Sequence, residues 1–477
     1  MSLSFRLPPW LQIIIVWAAI YLPGLGSFEI KGEEGRRILP AMAMIEQGDY
    51  LVPRVGGETY FSKPPLVNWL VAASFQTFGI RNEWTARIPS ALAVLVAALA
   101  FATIGKVTLG EKGALAAGLI WLTTIGLIEK GRLIEIEAVY ISLTALATIC
   151  WLAWWQEKRS PWLTWIVPWI FLGLGWLAKG PLHLIFFYAV VIAVLWRTKQ
   201  WKELFHPAHF IGIVLMLGIF ASWAIPFLQR SGQVRGFNRW SANFTGRISP
   251  SLLDLRRSAL TLVRSIGQFL PWILFVPFLR FDRFSEAREK QVASALTWSV
   301  VVPVLVVVAV PISAARYSLP ALAPFCWLMG LIFAGDAFDH PRWLGFARQP
   351  FWESFGRKCV LLVVVGALIG FPIAAKVARK REKVKSIAAE VNGLVPPNEI
   401  LYALNPGYQP FLFYARAHVT YVESLDQVPN QARYLLVRPS NEEQVLENKR
   451  WAPGRPQLLS RITDYRNDAI LIFEIVR

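Results

Sequence analysis

Apolar residues along this chain arrive in long blocks, for example Ala91–Ile104, Ala114–Ile128 and Phe210–Phe227. Blocks of about 15 to 22 residues match the roughly 30 Å hydrocarbon thickness when helical. Spans are expected to start near residues 10, 85, 113, 138, 161, 182, 208, 259, 293, 314 and 358, about eleven in all. The first, Trp10–Leu25, has no small-residue cleavage motif and reads as an uncleaved span. Leu66–Ile80 is shorter and follows Lys63-Pro64-Pro65, so it reads as a surface or dipping helix. Beyond about residue 379 the pattern changes. Short apolar stretches appear at Ile400–Leu404, Pro410–Tyr414, His418–Val422, Tyr434–Val437 and Ala469–Val476. Helices are expected at Val384–Val391 and near Glu442–Asn448, so this part reads as a small α/β domain. The expected partition is a transmembrane domain over 1–378, with surface helices in an outer loop over 28–84, and an extracytoplasmic domain over 379–477.

Composition agrees: 55% of the 477 residues are hydrophobic and 17% are charged, against about a quarter charged in soluble proteins. Many of the 22 tryptophans sit at block ends, such as Trp10, Trp84, Trp162, Trp196, Trp201 and Trp272, as in an interfacial aromatic belt. The net charge of +18 does not indicate nucleic-acid binding, because the lysines and arginines are spread through short loops rather than gathered on one stripe. Cys150, Cys326 and Cys359 lie in or beside apolar blocks without paired spacing, which excludes a disulfide framework or a cysteine metal site.

Loop charge gives an orientation. If Met1 is cytoplasmic and Leu66–Ile80 does not cross, five short inside loops carry Lys106 and Lys112, Lys158 and Arg159, Arg197, Lys199 and Lys202, Arg280 to Lys290, and Arg342 to Lys358. That obeys the positive-inside rule. The run Lys376–Lys385 would then lie outside, against the trend. The loop Gln229–Ser258 would also lie outside; it carries Arg230, Arg235, Arg239, Arg247, Arg256 and Arg257 but no lysine. Arginine is the better fork for phosphate oxygens.

Candidate chemistry gathers at the same boundary. Glu33-Glu34-Gly35-Arg36 stands just past the first span, where a carboxylate can take the proton of an attacking hydroxyl, although composition alone favours a solvated acidic loop. A second acidic spot holds Glu129, Lys130, Arg132, Glu135 and Glu137, the last directly before the run Ala138–Trp155. Lys179-Gly180-Pro181 and Arg316-Tyr317 follow on the same side. Acid and base beside a lipid headgroup suit a phosphate-linked substrate; structural ion pairs satisfying charge at that depth are the alternative.

The stretches EEGRR, EQGDYLVPRVGGETYFSKPPLVNWL and GIRNEWTARIPSAL between Gly32 and Leu92 closely resemble the start of aminoarabinose-transferase-like proteins. These belong to the protein O-mannosyltransferase clan of family 39-like, GT-C-fold glycosyltransferases. GRLIEIEA, LGLGWLAKGP, FLPW and RYSLPALAP continue the pattern, and the resemblance covers about the first 380 residues. It implies a polytopic α-helical GT-C membrane protein of the bacterial inner membrane. The implied activity is an inverting glycosyltransferase using a polyprenyl-phosphate sugar donor and an extracytoplasmic lipid A-like glycolipid, glycan or protein acceptor.

Carried over residue by residue, the resemblance puts Glu33 on the catalytic aspartate, Glu34 on its companion and Glu137 on the acidic residue of the second outer loop. These three form the expected catalytic set, with Glu137 positioning the acceptor. Lys63 and Arg247 fall on ligands of the carrier phosphate, and Lys179 and Arg316 on further basic positions of the cavity. Arg36 and Tyr317 beside them complete the expected substrate-binding set. Two usual aspartates are glutamates here, a methylene longer, and misplacement of about an ångström can cost about a hundredfold in rate. Ser62 and Phe244 replace a glutamate and a histidine, so no metal and no cofactor is expected. The rival readings are a lipid-linked sugar flippase and a catalytically degenerate family member.

Overall fold

The computed structural model describes residues 7–231, 255–310, 313–339, 351–464 and 466–477. Ten helices open the chain: α1 Pro9–Tyr21, α2 Gly35–Gln47, α3 Leu66–Phe78, α4 Glu83–Thr103, α5 Lys106–Thr123, α6 Ile125–Gly131, α7 Ile136–Gln156, α8 Pro161–Ala178, α9 His183–Arg197 and α10 Pro207–Ser231. Further long helices run over Leu255–Gly267, Ala287–Ala309, Leu322–Gly335 and Phe351–Arg379.

Burial is reversed relative to a protein folded in water. Phe351–Arg379 and Pro207–Ser231 are strongly apolar, yet only 11% and 28% of their central windows are covered by protein. Leu362, Val214, Leu361 and Ile373 stand open on their faces. By contrast α7, which begins with the ionisable Glu137, is 94% covered. An apolar helix left bare on that scale needs lipid as its solvent, so this is a multi-pass membrane protein.

Among the described residues seven helices are long and apolar enough to cross a membrane, or up to nine if each bent pair is one span. The eleven expected spans are thus not reached by this measure, for reasons of length and bending. α1 and α9 have 13 and 15 residues, about 20 Å of helix each. α5 and α6 meet at 62°, and Arg256–Gly267 meets Trp272–Phe278 at 95°, so the block expected from residue 259 is a sharp corner rather than one straight helix. The helix expected at Leu66–Ile80 forms as α3, also 13 residues, again too short to cross alone.

The chain folds as two compact units. The first comprises residues 1–25, 62–66 and 87–372. Its core is lined by α7, and Arg132 braces it from within, donating to the Ile20 carbonyl at 2.6 Å and to the Pro23 carbonyl, with its guanidinium 3.5 Å from the Phe371 ring centre.

The second unit comprises residues 26–61, 67–86 and 373–477. Much of the first loop therefore belongs to the same compact unit as the C-terminal sheet. That sheet has the order β4-β3-β5-β7-β6, where β3 is Ile400–Leu404, β4 His418–Val422, β5 Tyr434–Val437, β6 Arg455–Thr463 and β7 Ala469–Val476. β3 runs parallel to β4 and β5, and β7 antiparallel to β5 and β6. Leu404, Leu435, Val437, Trp451, Leu471 and Phe473 fill one face. Pro410–Tyr414 is a 3-10 turn and not a strand, and β6 is a strand that alternation did not signal. The loop adds a hairpin, β1 Arg54–Val55 with β2 Glu58–Thr59, turned by Gly56 and Gly57 at φ +62° and +85°. A side chain at Gly56 would collide with the Gly407 carbonyl, so the turn also lets the hairpin lie on the sheet's β3–β4 connection.

Glu29 links the two parts of this unit. Its carboxylate accepts the backbone N–H groups of Val384 at 2.8 Å and Lys385 at 3.2 Å, capping the helix Val384–Leu394. Lys385 pairs with Glu83 at 2.7 Å, and Tyr414 donates to the same carboxylate at 3.1 Å.

Candidate functional site

Glu137, in the first turn of α7, is buried, and its Oε1 is shared by two cations: Lys179 Nζ at 3.1 Å and Arg316 Nε at 3.0 Å. Each partner is placed by its local chain. Lys179 caps α8 and enters a turn at Gly180, whose φ of +138° favours glycine. His183 fixes that turn, its ring nitrogens lying 2.9 Å from the Gly180 carbonyl and 2.8 Å from the Leu172 carbonyl. Arg316 and Tyr317 stand in the 3-10 turn Ala315–Ala321. The Lys179 ammonium sits 4.4 Å from the Tyr317 ring centre and 5.2 Å from that of Tyr140, one helical turn beyond Glu137.

Next to this cluster lies a second one: Lys130 bonds Glu129 at 2.8 Å and Glu135 at 3.0 Å. Burial holds the Glu135 carboxyl above its ordinary range despite the Lys130 ammonium beside it. Lys130, Glu129 and Arg316 line an open cavity of about 580 Å³, together with Arg256, Arg257, Leu260, Thr261, Arg264 and Gln268. Arg257, Leu260, Thr261 and Arg264 follow i, i+3, i+4, i+7 spacing, so one face of the helix Leu255–Gly267 forms the wall. Five cations and one carboxylate among these side chains make the cavity strongly positive. A concave site of that sign and size fits an anionic headgroup.

The other sequence-derived acids belong to the second unit. Glu33 lies in the 3-10 turn Gly32–Glu34 ahead of α2, 3.0 Å from Arg36 Nη1 and 3.5 Å from Arg37 Nη2, and is 44% exposed. Glu34 is buried at the start of α2, where the helix N-terminus favours a negative charge. Arg37 is buried and donates to the Tyr60 hydroxyl at 3.0 Å. Lys63 is half-buried in the 62–66 segment of the first unit. Arg247 lies outside the described residues. The first unit thus brings together Glu137, Lys179, Arg316 and Tyr317, and the second brings together Glu33, Glu34 and Arg36.

Four contributors were not singled out from sequence. Tyr140 and His183 looked like ordinary apolar-block residues, although the first is three positions after Glu137 and the second four after Lys179. Arg264 and Gln268 belong to a face visible only as an i, i+7 and i, i+11 relation to Arg257.

The family of dolichyl-phosphate-mannose-protein mannosyltransferases matches residues 62–225. An undecaprenyl phosphate-α-4-amino-4-deoxy-L-arabinose arabinosyl transferase of Pseudomonas aeruginosa is 23% identical over 336 residues, covering 68% of this chain and 59% of that protein. The chain therefore spans about three fifths of the length of the curated relative it matches. An uncharacterized protein of Aquifex aeolicus is 28% identical over 200 residues, 42% of this chain and 44% of that one. Among solved structures, ArnT from Cupriavidus metallidurans bound to undecaprenyl phosphate superimposes with a TM-score of 0.67 at 17% identity, covering 97% of both chains. Its apo state gives 0.64 at 19% identity. The chain has the GT-C fold of these solved structures, and its sequence is similar to those of aminoarabinose transferases.

Proposed function

We propose that this protein is an integral-membrane glycosyltransferase of the bacterial inner membrane, moving a sugar from a polyprenyl-phosphate donor to an extracytoplasmic acceptor. The observation that carries the reading is the positive cavity whose Arg316 is held by buried Glu137. In the reaction the bond between the anomeric carbon and the carrier phosphate oxygen breaks, its electrons staying on the phosphate. The acceptor oxygen attacks from the opposite face and inverts the centre. Cations preset where that charge develops supply electrostatic help, often the largest single contribution to catalysis. Lys63 and Arg247 are assigned to the leaving phosphate, and Lys179, Arg316 and Tyr317 to the surrounding headgroup. Glu33, flanked by Arg36 and Glu34, receives the proton of a hydroxyl acceptor, or only orients an acceptor that is itself a phosphate.

Glu137 is assigned the task of holding Lys179 and Arg316 rather than of accepting a proton, since one oxygen already serves both cations. A flippase would also need cationic phosphate sites, but not an acid at the acceptor position. In the protein reconstituted in vesicles with polyprenyl-phosphate sugar extracted from host membranes, Glu33→Gln and Lys63→Ala are expected to abolish transfer while the protein remains folded. Normal turnover by either variant rejects its assignment.

A further inference from the structure

We infer that Tyr408, in the C-terminal part of the chain, is a positioning residue for the acidic turn that carries Glu33. The inference rests on the assignment of Glu33 made above, and Tyr408, Arg466, Gly32, Glu33, Gly35 and Arg36 all belong to the second compact unit.

Tyr408 follows Gly407, whose φ of +65° turns the chain in the β3–β4 connection, shortly after β3 ends. Its hydroxyl donates to the carbonyl of Gly32, the residue immediately before Glu33. Its ring lies directly on Gly35: a Cβ built there would stand 2.5 Å from the Tyr408 hydroxyl and 2.9 Å from a ring carbon. Any other side chain at position 35 would push the ring away, so the glycine of the EEGR stretch has a steric reason. Two guanidiniums lie against the same ring, Arg36 with its carbon 5.2 Å from the ring centre and Arg466 at 5.1 Å. Arg36 in turn holds Glu33 at 3.0 Å.

Arg466 is anchored independently of the turn. It bonds the carboxylate of Asp464, itself 1% exposed, at 3.0 Å, and donates to the Tyr408 backbone carbonyl at 2.7 Å. The chain of contacts therefore runs from a buried aspartate through Arg466 and Tyr408 to the backbone of Gly32 and the side chain of Arg36. Both ends of the Glu33 turn are held, one by a hydrogen bond and one by a stacked cation. The carboxylate itself is 44% exposed and pairs with half-exposed Arg36 and buried Arg37, so its place depends on the backbone of its turn and on how Arg36 is held. Misplacing a reacting group by about an ångström can cost about a hundredfold in rate, which is the scale on which such a brace matters.

The test uses the full chain, returned to a host lacking the gene, as wild type, Tyr408→Phe, Tyr408→Ala and Glu33→Gln at matched membrane levels. Two quantities are read: the envelope glycan species that disappears with the gene, by mass spectrometry, and the rate at which a water-soluble carbodiimide labels Glu33 in vesicles. Tyr408→Ala is expected to lower product about a hundredfold and to change the Glu33 labelling rate several-fold, with Tyr408→Phe between it and wild type because the ring stays on Gly35. Wild-type product and labelling in Tyr408→Ala, with Glu33→Gln inactive, overturns this inference alone. Lost product with unchanged labelling also overturns it, because Tyr408 would then support the fold and not the turn. Wild-type product from Glu33→Gln, or no species lost with the gene, overturns the underlying assignment.

Discussion

At the residue scale the two acids differ in what surrounds them, and the difference decides how each responds to substitution. Glu33 is 44% exposed and pairs with half-exposed Arg36 at 3.0 Å and with Arg37 at 3.5 Å, a solvent-facing arrangement worth about 0–1 kcal/mol. Glu137 is buried between two cations, and removing one partner of a buried pair costs about 3–5 kcal/mol, because charge is stranded. Glu137→Ala is therefore expected to lower the melting temperature in detergent sharply, while Glu33→Gln leaves it within a degree or two and removes activity. Equal thermal effects of the two would contradict this contrast. Glu135 offers a pH test. Burial raises its carboxyl, so the folded state keeps the proton to a higher pH than the unfolded chain, near 4.3 for a free glutamate. Its stabilising contribution is present at low pH and lost as pH rises through that interval. The stability difference between Glu135→Gln and wild type should accordingly move in favour of the variant as pH climbs above about 4; a difference independent of pH contradicts the assignment.

At the element scale the arginine face of Leu255–Gly267 and the cap on Val384–Leu394 carry the most consequence. Glu29 accepts two N–H groups in the first turn of that helix, replacing a local cap with a residue some 350 positions earlier. Glu29→Ala is expected to cost about 1 kcal/mol and to speed amide exchange at Val384 and Lys385; unchanged exchange there argues against the cap. Element type was legible where periodicity was long, as in α7 and α10, and the strands β3, β4, β5 and β7 also stood out as short apolar runs. It failed where five apolar residues had to decide alone. Pro410–Tyr414 looks like a strand yet winds as a 3-10 turn, and β6 is an edge strand whose RPQLLSRIT is too polar to signal itself. The block from residue 259 shows the limit of counting hydrophobic length. Its composition would cross a membrane, but Arg256–Gly267 and Trp272–Phe278 meet there at a 95° corner.

For the whole molecule, the candidate site was legible as a set of residue types and not as an arrangement. Glu137 at a span boundary, Lys179 before a Gly-Pro turn and Arg316 before an apolar run each drew notice, and the structure joins them. The grouping of the first loop with the C-terminal sheet could not be read, because contacts such as Tyr408 with Gly32 join residues 376 positions apart. The same grouping bears on the basic run Lys376–Lys385, which opposed the charge-based orientation. Glu29 and Glu83 answer its last members, Glu83 by pairing with Lys385 and Glu29 by capping the backbone there. If the loop and sheet face outward, cysteine at Asp426, whose side chain is 96% exposed, should react with an impermeant maleimide added outside intact cells. Cysteine at exposed Lys158 should react only after lysis, and the reverse pattern would invert the orientation.

The central claim, that a sugar leaves its lipid carrier on this protein, is tested most directly by the fate of the carrier. Purified full-length protein in sealed vesicles would be given polyprenyl-phosphate sugar and glycolipid extracted from its own host, and both lipids would be followed by mass spectrometry. The account expects free polyprenyl phosphate to appear in step with glycosylated acceptor, and neither to form with Glu33→Gln. Donor that crosses the bilayer intact, with no free polyprenyl phosphate and no product, would contradict it.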